Sequence, residues 1–465
     1  MFEVIIGIEI HLQLSTKTKM FSPAPINFDA KANSDVSYID LAYPGTLPQV
    51  NEQAVISALK LAKALDMEID DVLRFDRKNY FYPDLPKGFQ ITQQFHPLGR
   101  NGKLKLEVNG EQKIVEIERI HLEEDTARQH HEGEFTFIDY NRAGIPLIEI
   151  VTKPVIHDAQ TAVKYIETIR QIALSQKISN AKMEQGSLRA DINLSLRYKG
   201  DERYGTKVEI KNINTLSNVK SAIEFEIEQQ KKKILANEKI VQCTKRFDEK
   251  TKQNILMRLK LDAIDYKYFP EPNIPNIRLS EQMINSIKLN ELPWEKEERY
   301  KKANINEIYL NRLLNDWELS QIFDDIKFDD LDKKSKIFFN EFVAYANSKQ
   351  KHLSQINFNL EDISNCITLL EKGIISNKQL KWLVPLLENN TQDLMQLIKQ
   401  NDLMQISDEQ FLSSIIKRIL TPNDQVAYAQ NPEKHIKVIV GKVMKETKSK
   451  ANPILTNELI KKMLE

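Results

Sequence analysis

The segment His121-Leu122-Glu123-Glu124-Asp125 packs four ionisable groups into five residues. Three adjacent carboxylates repel one another, so they need either water around all of them or a cation among them. A solvated acidic turn and a cation site both meet that need. Glu149 is placed differently, inside the otherwise apolar run Ile145-Pro146-Leu147-Ile148-Glu149-Ile150-Val151, where a charge is costly unless it is paired or bound to metal. A third pair lies near the N-terminus. If Val4–Leu14 is a strand, Ile8, Ile10, Leu12 and Leu14 share one face and Gly7, Glu9, His11 and Gln13 the other, so Glu9 and His11 sit side by side. That face is either the wet side of a half-exposed strand or part of a site. One histidine with several carboxylates suits a hard divalent cation of the kind that accompanies ATP phosphates.

The stretch Arg77-Lys78-Asn79-Tyr80-Phe81-Tyr82-Pro83-Asp84-Leu85-Pro86-Lys87-Gly88-Phe89-Gln90 has two prolines and fits neither strand nor helix periodicity. Its aromatics and cations suit stacking on and neutralising an unpaired nucleotide end, or else they pack inside an Ω-type loop. The segment Gly200-Asp201-Glu202-Arg203-Tyr204-Gly205-Thr206-Lys207 imitates a phosphate-binding P-loop, but Thr and Lys are transposed and no helical pattern follows. Without a lysine beside the second glycine and a helix N-terminus behind it, that mechanism fails, and the segment reads as a hairpin turn.

Several elements must position these residues. Strands are expected at Val4–Leu14, Lys103–Val108, Val115–Leu122 and Leu188–Tyr198, with Thr206–Ile210 returning as a hairpin after Lys199-Gly200-Asp201. Helices are expected to open at Asn51, Asp158 and Ser217, each able to cap free N–H groups. Strands and helices alternate without a regular βαβ beat, which predicts an α+β fold with a mixed or antiparallel sheet. From Trp294 onward glycine almost vanishes, leaving Gly373 and Gly441, and apolar residues recur at helical spacing, so the second half reads as all-helical. The expected domains are 1–292, 293–406 and 407–465.

Composition bounds the answer. The chain has 465 residues, with 66 Lys+Arg against 66 Asp+Glu, so any polyanion site must be a local patch. One such patch is the tail, where Lys434, Lys437, Lys442, Lys445, Lys448 and Lys450 face only Glu446 between residues 434 and 450. Glycine is scarce, 13 of 465 residues. The two cysteines, Cys243 and Cys366, are far apart in sequence, which excludes a disulfide scaffold and Cys-ligated zinc. The N-terminus carries no secretory pattern and no apolar run approaches the ~20 residues of a membrane span, so a cytoplasmic protein with no membrane association is expected.

The motifs Ile6-Gly7-Ile8-Glu9-Ile10-His11, Leu41-Ala42-Tyr43-Pro44-Gly45-Thr46-Leu47-Pro48, Asp76 through Asp84, His121 through Asp125, Asn141 through Val151, Gly186-Ser187-Leu188-Arg189-Ala190-Asp191-Ile192-Asn193 and Asp265 through Pro272 together resemble the B subunits of tRNA-dependent amidotransferases. Val440 through Lys445 and Lys450-Ala451-Asn452-Pro453 resemble the family's tail, so the likeness spans essentially the whole chain. The resemblance implies a cradle-shaped N-terminal domain carrying a kinase and transamidase site, then an all-α helical domain and a small helical tail that grips tRNA. It implies ATP and Mg²⁺ at Glu9, His11, Glu124 and Glu149, which would serve as catalytic and metal-binding residues. Further cofactor contacts would come from Glu123, Arg189, Asp191 and Lys211. Lys78, Lys87, Tyr80 and Tyr82 would line the ammonia channel or the substrate end, and Lys442, Lys445, Lys448 and Lys450 would contact tRNA. Its implied partners are a glutaminase A subunit and a small C subunit, in a heterotrimer.

Three departures from the family pattern stand out. Many members carry a four-cysteine zinc site where this chain reads Phe21-Ser22-Pro23-Ala24 and Ser37-Tyr38-Ile39-Asp40, so no zinc is expected. The usual Gly-Lys after the acidic cluster is Ala127-Arg128, and the Gly-Lys-rich loop before the tail motif is Asn431-Pro432-Glu433-Lys434-His435. The implied activity is ATP-dependent amidation of misacylated Glu-tRNA(Gln), Asp-tRNA(Asn) or both, as a carbon–nitrogen ligase using glutamine as amide donor. Two other readings of the same residues are a non-catalytic tRNA-binding scaffold and a free-standing metal-dependent hydrolase.

Overall fold

The computed structural model describes residues 2–27, 29–259, 265–448 and 450–464. The chain divides into two compact units, Met1–Pro293 and Trp294–Glu465.

The strands of the first unit are β1 (Phe2–Gln13), β2 (Glu68–Ile69), β3 (Val72–Leu73), β4 (Asp76–Asn79), β5 (Phe89–Thr92), β6 (Gly99–Val108), β7 (Glu111–Glu124) and β8 (Arg128–Glu132). They continue with β9 (Phe135–Asp139), β10 (Pro146–Thr152), β11 (Leu188–Tyr198), β12 (Val208–Ile213), β13 (Cys243–Asp248), β14 (Gln253–Leu259), β15 (Phe269–Pro270) and β16 (Ile277–Arg278). Nine of them form one sheet in the order β14-β13-β12-β11-β1-β10-β7-β6-β2. The sheet is antiparallel except for the parallel β12–β13 pair. A small sheet, β15-β4-β5, lies apart from it in the strand pairing.

Helices α1 (Glu52–Ala64), α2 (Ala159–Ser175) and α3 (Leu216–Leu235) pack on this sheet. Alternation explains which side they take. Ile8, Ile10 and Leu12 of β1, Ile148 and Ile150 of β10, Ile120 and Leu122 of β7 and Leu188, Ile192 and Leu194 of β11 are all buried in one core with the helices. At roughly 1.5–3 kcal/mol for each fully buried large apolar side chain, this row fixes the register and sends the odd-numbered residues of β1 to the opposite face.

The expected α+β architecture is observed, with local corrections. Asn51 and Asp158 cap α1 and α2 through Ala54 N and Thr161 N. The cap of α3 is Thr215, which accepts from Asn218 N, not Ser217, because the apolar stripe Val219, Ala222, Ile223 requires the helix to begin at Leu216. His121–Asp125 is no solvated turn: His121, Glu123, Glu124 and Asp125 are all buried, and the first three end β7. The Arg77–Gln90 stretch contains the ends of two paired strands, β4 and β5, around a loop.

The second unit is helical among the described residues, apart from an isolated bridge between Ile406 and Ala451. It holds two apolar cores, one drawn from Tyr300 to Leu403 and one from Leu412 to Leu464. The helix Glu409–Ile419 opens on Asp408, which accepts from Phe411 N at 2.8 Å.

Candidate functional site

The face of the sheet turned away from α1–α3 carries the ionisable residues. In β10, Glu149 pairs with His121 of β7 on one side and with His11 of β1 on the other, and His11 pairs with Arg189 of β11. Directly opposed residues of antiparallel strands point to the same side, so His121, Glu149, His11 and Arg189 form a row across four strands. Glu123, two residues beyond His121, shares that side.

Two imidazoles and two carboxylates meet there as an alternating ring. Nε2 of His11 lies 3.5 Å from Glu149 Oε2 and 3.7 Å from Glu123 Oε1. Nε2 of His121 lies 3.3 Å from Glu149 Oε2 and 3.8 Å from Glu123 Oε2. Burial resists charging of both histidines, but the two carboxylates outweigh it and lift each to about 9. Glu149 resists ionisation through burial too, yet His121 and His11 hold it well below the usual carboxylate range. The ring is thus balanced internally by protons. A cation entering it would displace them, since imidazole ligates in its neutral form.

The residues fit such a cation. Ligand atoms of His11, Glu123 and Glu149 all lie within 4.8 Å of one another, the span that bonds of roughly 2.0–2.4 Å to one divalent ion reach. Carboxylate oxygens with imidazole nitrogen form a mixed donor set open to Mg²⁺ or Mn²⁺. Nδ1 of His121 is buried with no hydrogen-bond partner.

Of the expected ligands Glu9, His11, Glu124 and Glu149, the ring brings together His11 and Glu149. Glu124 follows the parity of Leu122 and lies across the strand from Glu123. Its carboxylate is bonded by Lys87 and by Ile91 N at 2.9 Å. Glu9 lies two residues down β1 in a second group with Asp191 and Glu209. Lys211 occupies that group, with Nζ 2.6 Å from Asp191 and 3.2 Å from Glu209. Burial and the charge of Glu149 raise the Glu9 carboxyl above its ordinary value. Arg189 is anchored by buried Asp125, with Nη2 3.1 Å from Oδ1, and Asp125 also accepts from Gln13 Nε2 at 2.9 Å.

An aromatic rim borders the ring. The ammonium of Lys78 sits 4.8 Å from the Tyr266 ring and 5.8 Å from that of Tyr80, and Tyr266 contacts Tyr268 edge-on. Burial, then the charge of Asp84, raises the Tyr80 phenol. Phe81 is 95% exposed and Tyr82 59%, so the buried Ω-loop reading fails for these two. Lys87 is committed to Glu124. In the tail, Lys442, Lys445 and Lys448 are exposed, whereas Lys450 is ion-paired with Asp402.

His121, Tyr266 and Tyr268 were not among the expected site residues, although the motifs His121–Asp125 and Asp265–Pro272 contain them. Counting β7 by twos from Glu123 finds His121. The two tyrosines come from a distant segment, and no local spacing points to them.

Among the described residues no helix is long and apolar enough to cross a membrane. Residues 4–285 match the GatB/GatE catalytic domain family and residues 322–464 the GatB domain family. The chain is 57% identical over 465 residues to the B subunit of the aspartyl/glutamyl-tRNA(Asn/Gln) amidotransferase of Mycoplasmopsis agalactiae, covering 100% of this chain and 98% of that relative. It is 54% identical to the protein of that name in Mycoplasmopsis synoviae and 44% identical to that in Malacoplasma penetrans, covering 100% of this chain and 98% of each relative. By full-length similarity and by both of its domains, this chain belongs to the family of aspartyl/glutamyl-tRNA(Asn/Gln) amidotransferase B subunits.

Proposed function

We propose that this subunit activates the side-chain carboxylate of a misacylated tRNA with ATP and then amidates it with ammonia delivered by a glutaminase partner. The observation that carries the reading is the ring of His11, Glu123, Glu149 and His121 at the centre of the polar sheet face.

The chemistry requires such a place. A carboxylate cannot expel oxide to ammonia. Its oxygen first attacks the γ-phosphorus of ATP, giving an acyl phosphate and ADP, and ammonia then displaces inorganic phosphate to leave the amide. A divalent cation, when bound, neutralises phosphate charge during the transfer. His11, Glu123 and Glu149 would hold it, with His121 as the fourth donor. Arg189, fixed by Asp125 beside His11, is placed to neutralise a phosphate oxygen with a directional guanidinium. The aromatic rim around Lys78 offers rings on which the terminal bases of an aminoacylated tRNA stack. Exposed Lys442, Lys445 and Lys448 supply phosphate contacts in the tail.

Labelling tests the activation step. With ¹⁸O in the side-chain carboxylate of the tRNA-linked amino acid, one labelled oxygen should leave in inorganic phosphate for each amide formed. Phosphate free of label would refute activation by phosphoryl transfer.

A further inference from the structure

Four aromatic side chains on the small sheet and its flanking loops touch in series. Tyr80 meets Tyr266 edge-on with ring centres 5.8 Å apart, Tyr266 meets Tyr268 at 6.0 Å, and Tyr268 meets Phe95 at 6.3 Å. These are the spacings of attractive aromatic pairs. Burial, then the neighbouring Tyr266 and the charges of Glu149 and Glu123, push the Tyr268 phenol up to about 12, so the inner part of the series lies near the site. Its other end, Phe95, is 52% exposed.

Strand β4 fastens the series from behind. Oδ2 of buried Asp76 accepts from Gln94 N at 2.8 Å and from Phe95 N at 3.0 Å. Arg77 donates twice to Glu271, at 2.5 and 3.0 Å, and its guanidinium lies 4.0 Å from the centre of the Phe89 ring. Asn79 donates through N to the Tyr266 carbonyl at 2.9 Å and through Nδ2 to the Lys267 carbonyl at 2.7 Å. The remaining residue of the strand, Lys78, faces Tyr80 and Tyr266. Phe95 is therefore held in place while its ring stays open to solvent, the state of a preorganised contact. Cations flank it. Exposed Arg100 donates to the Phe95 carbonyl at 2.8 Å, and Arg74, 3.6 Å from Asp70, lies 3.1 Å from His96 Nδ1.

We propose that Phe95 is the outer stacking contact for the single-stranded 3′ end of the charged tRNA, and that the four rings form a track along which its bases are laid towards the site. The assignment rests on the reading of the aromatic rim above and adds the path and its outer end. Every base has a π-face, so a series of aromatic rings accepts a single strand whatever its sequence. Arg74 and Arg100 at the outer end and Lys78 at the inner end meet its phosphates.

The test titrates the assembled complex with uncharged tRNA carrying its complete 3′ end and with the same tRNA lacking its last three nucleotides. Phe95→Ala removes a ring that does not serve the core. It should weaken binding of the complete tRNA by about tenfold, the order of one lost base–aromatic stack, and leave binding of the shortened tRNA unchanged. In amidation assays it should raise the KM for charged tRNA more than it lowers kcat, and Phe95→Trp should restore KM. Unaltered affinity for the complete tRNA would overturn the proposal, as would equal loss on both tRNAs, the result that contact with the tRNA body or with a partner protein would give. A wild-type complex that binds the two tRNAs equally would instead overturn the reading of the rim on which the proposal rests.

Discussion

Glu149 and His121 stand directly opposite each other across the β10–β7 pair, with Oε2 3.3 Å from Nε2. This is the shortest edge of the ring, and it belongs to a histidine that lies deeper than His11. Replacing His121 with Ala should therefore slow amide formation by about 10–100-fold, the usual effect of disturbing a metal ligand's surroundings. Glutamine hydrolysis by the glutaminase partner proposed above should be unaffected. Steady-state assays of both reactions on one preparation check this, and an amidation rate equal to wild type would remove His121 from the site.

Adjacent glutamates should behave differently. Glu123→Gln removes a ring carboxylate and should impair amidation while preserving the fold. Glu124→Gln leaves the ammonium of Lys87, 9% exposed, without an anionic partner, and breaking a buried pair costs on the order of 3–5 kcal/mol. Urea melts and amidation rates of the two variants should show opposite patterns.

A buried ion pair holds the N-terminal loops together. Lys19 Nζ lies 3.1 Å from Asp40 and 3.2 Å from the Tyr140 carbonyl, and Asp40 also accepts from Ser37 N. Lys19→Met strands Asp40 and should cost about 3–5 kcal/mol. The double variant Lys19→Met, Asp40→Leu should recover part of that loss, because no unpaired charge remains. A double variant as unstable as the single one would show that packing, not charge, dominates.

Lys334 supplies a pH test in the helical unit. Its ammonium donates to the Ile326 carbonyl at 2.8 Å and lies 4.4 Å from the Phe323 ring centre. Burial lowers it from 10.5 to about 8. Between those values the unfolded chain binds a proton that the folded chain does not, so stability rises with pH. Relative to Lys334→Met, the wild type should gain about 1.4 kcal/mol per pH unit from roughly pH 8 to 10. All three tryptophans, Trp294, Trp317 and Trp382, lie in this unit, so their emission reports its unfolding alone. A pH-independent difference would mean that Lys334 stays charged.

The polar face of β1 is legible in the sequence because Ile8, Ile10 and Leu12 alternate so strictly with Glu9 and His11. The same rule applied to β7 separates Glu123 from Glu124, but the run of three carboxylates reads locally as a turn and hides its period of two. The pairing of His121 with Glu149, and of Glu9 with Asp191, depends on strand order, which sets β10 between β1 and β7 and β11 on the other side of β1. No single-strand pattern encodes that order. The transposed Thr and Lys rightly deny the loop at 200–207 a P-loop fold, yet its position beside β1 follows from the return of β12 along β11, a tertiary fact.

Single-turnover amidation of charged tRNA by the complex carrying Glu149→Gln tests the central claim most directly, because Glu149 touches both histidines of the ring. The ring assignment predicts a rate at least ~100-fold below wild type, the upper range for damage to a metal site, with glutaminase activity and tRNA affinity retained. Amidation at near wild-type rate would contradict it.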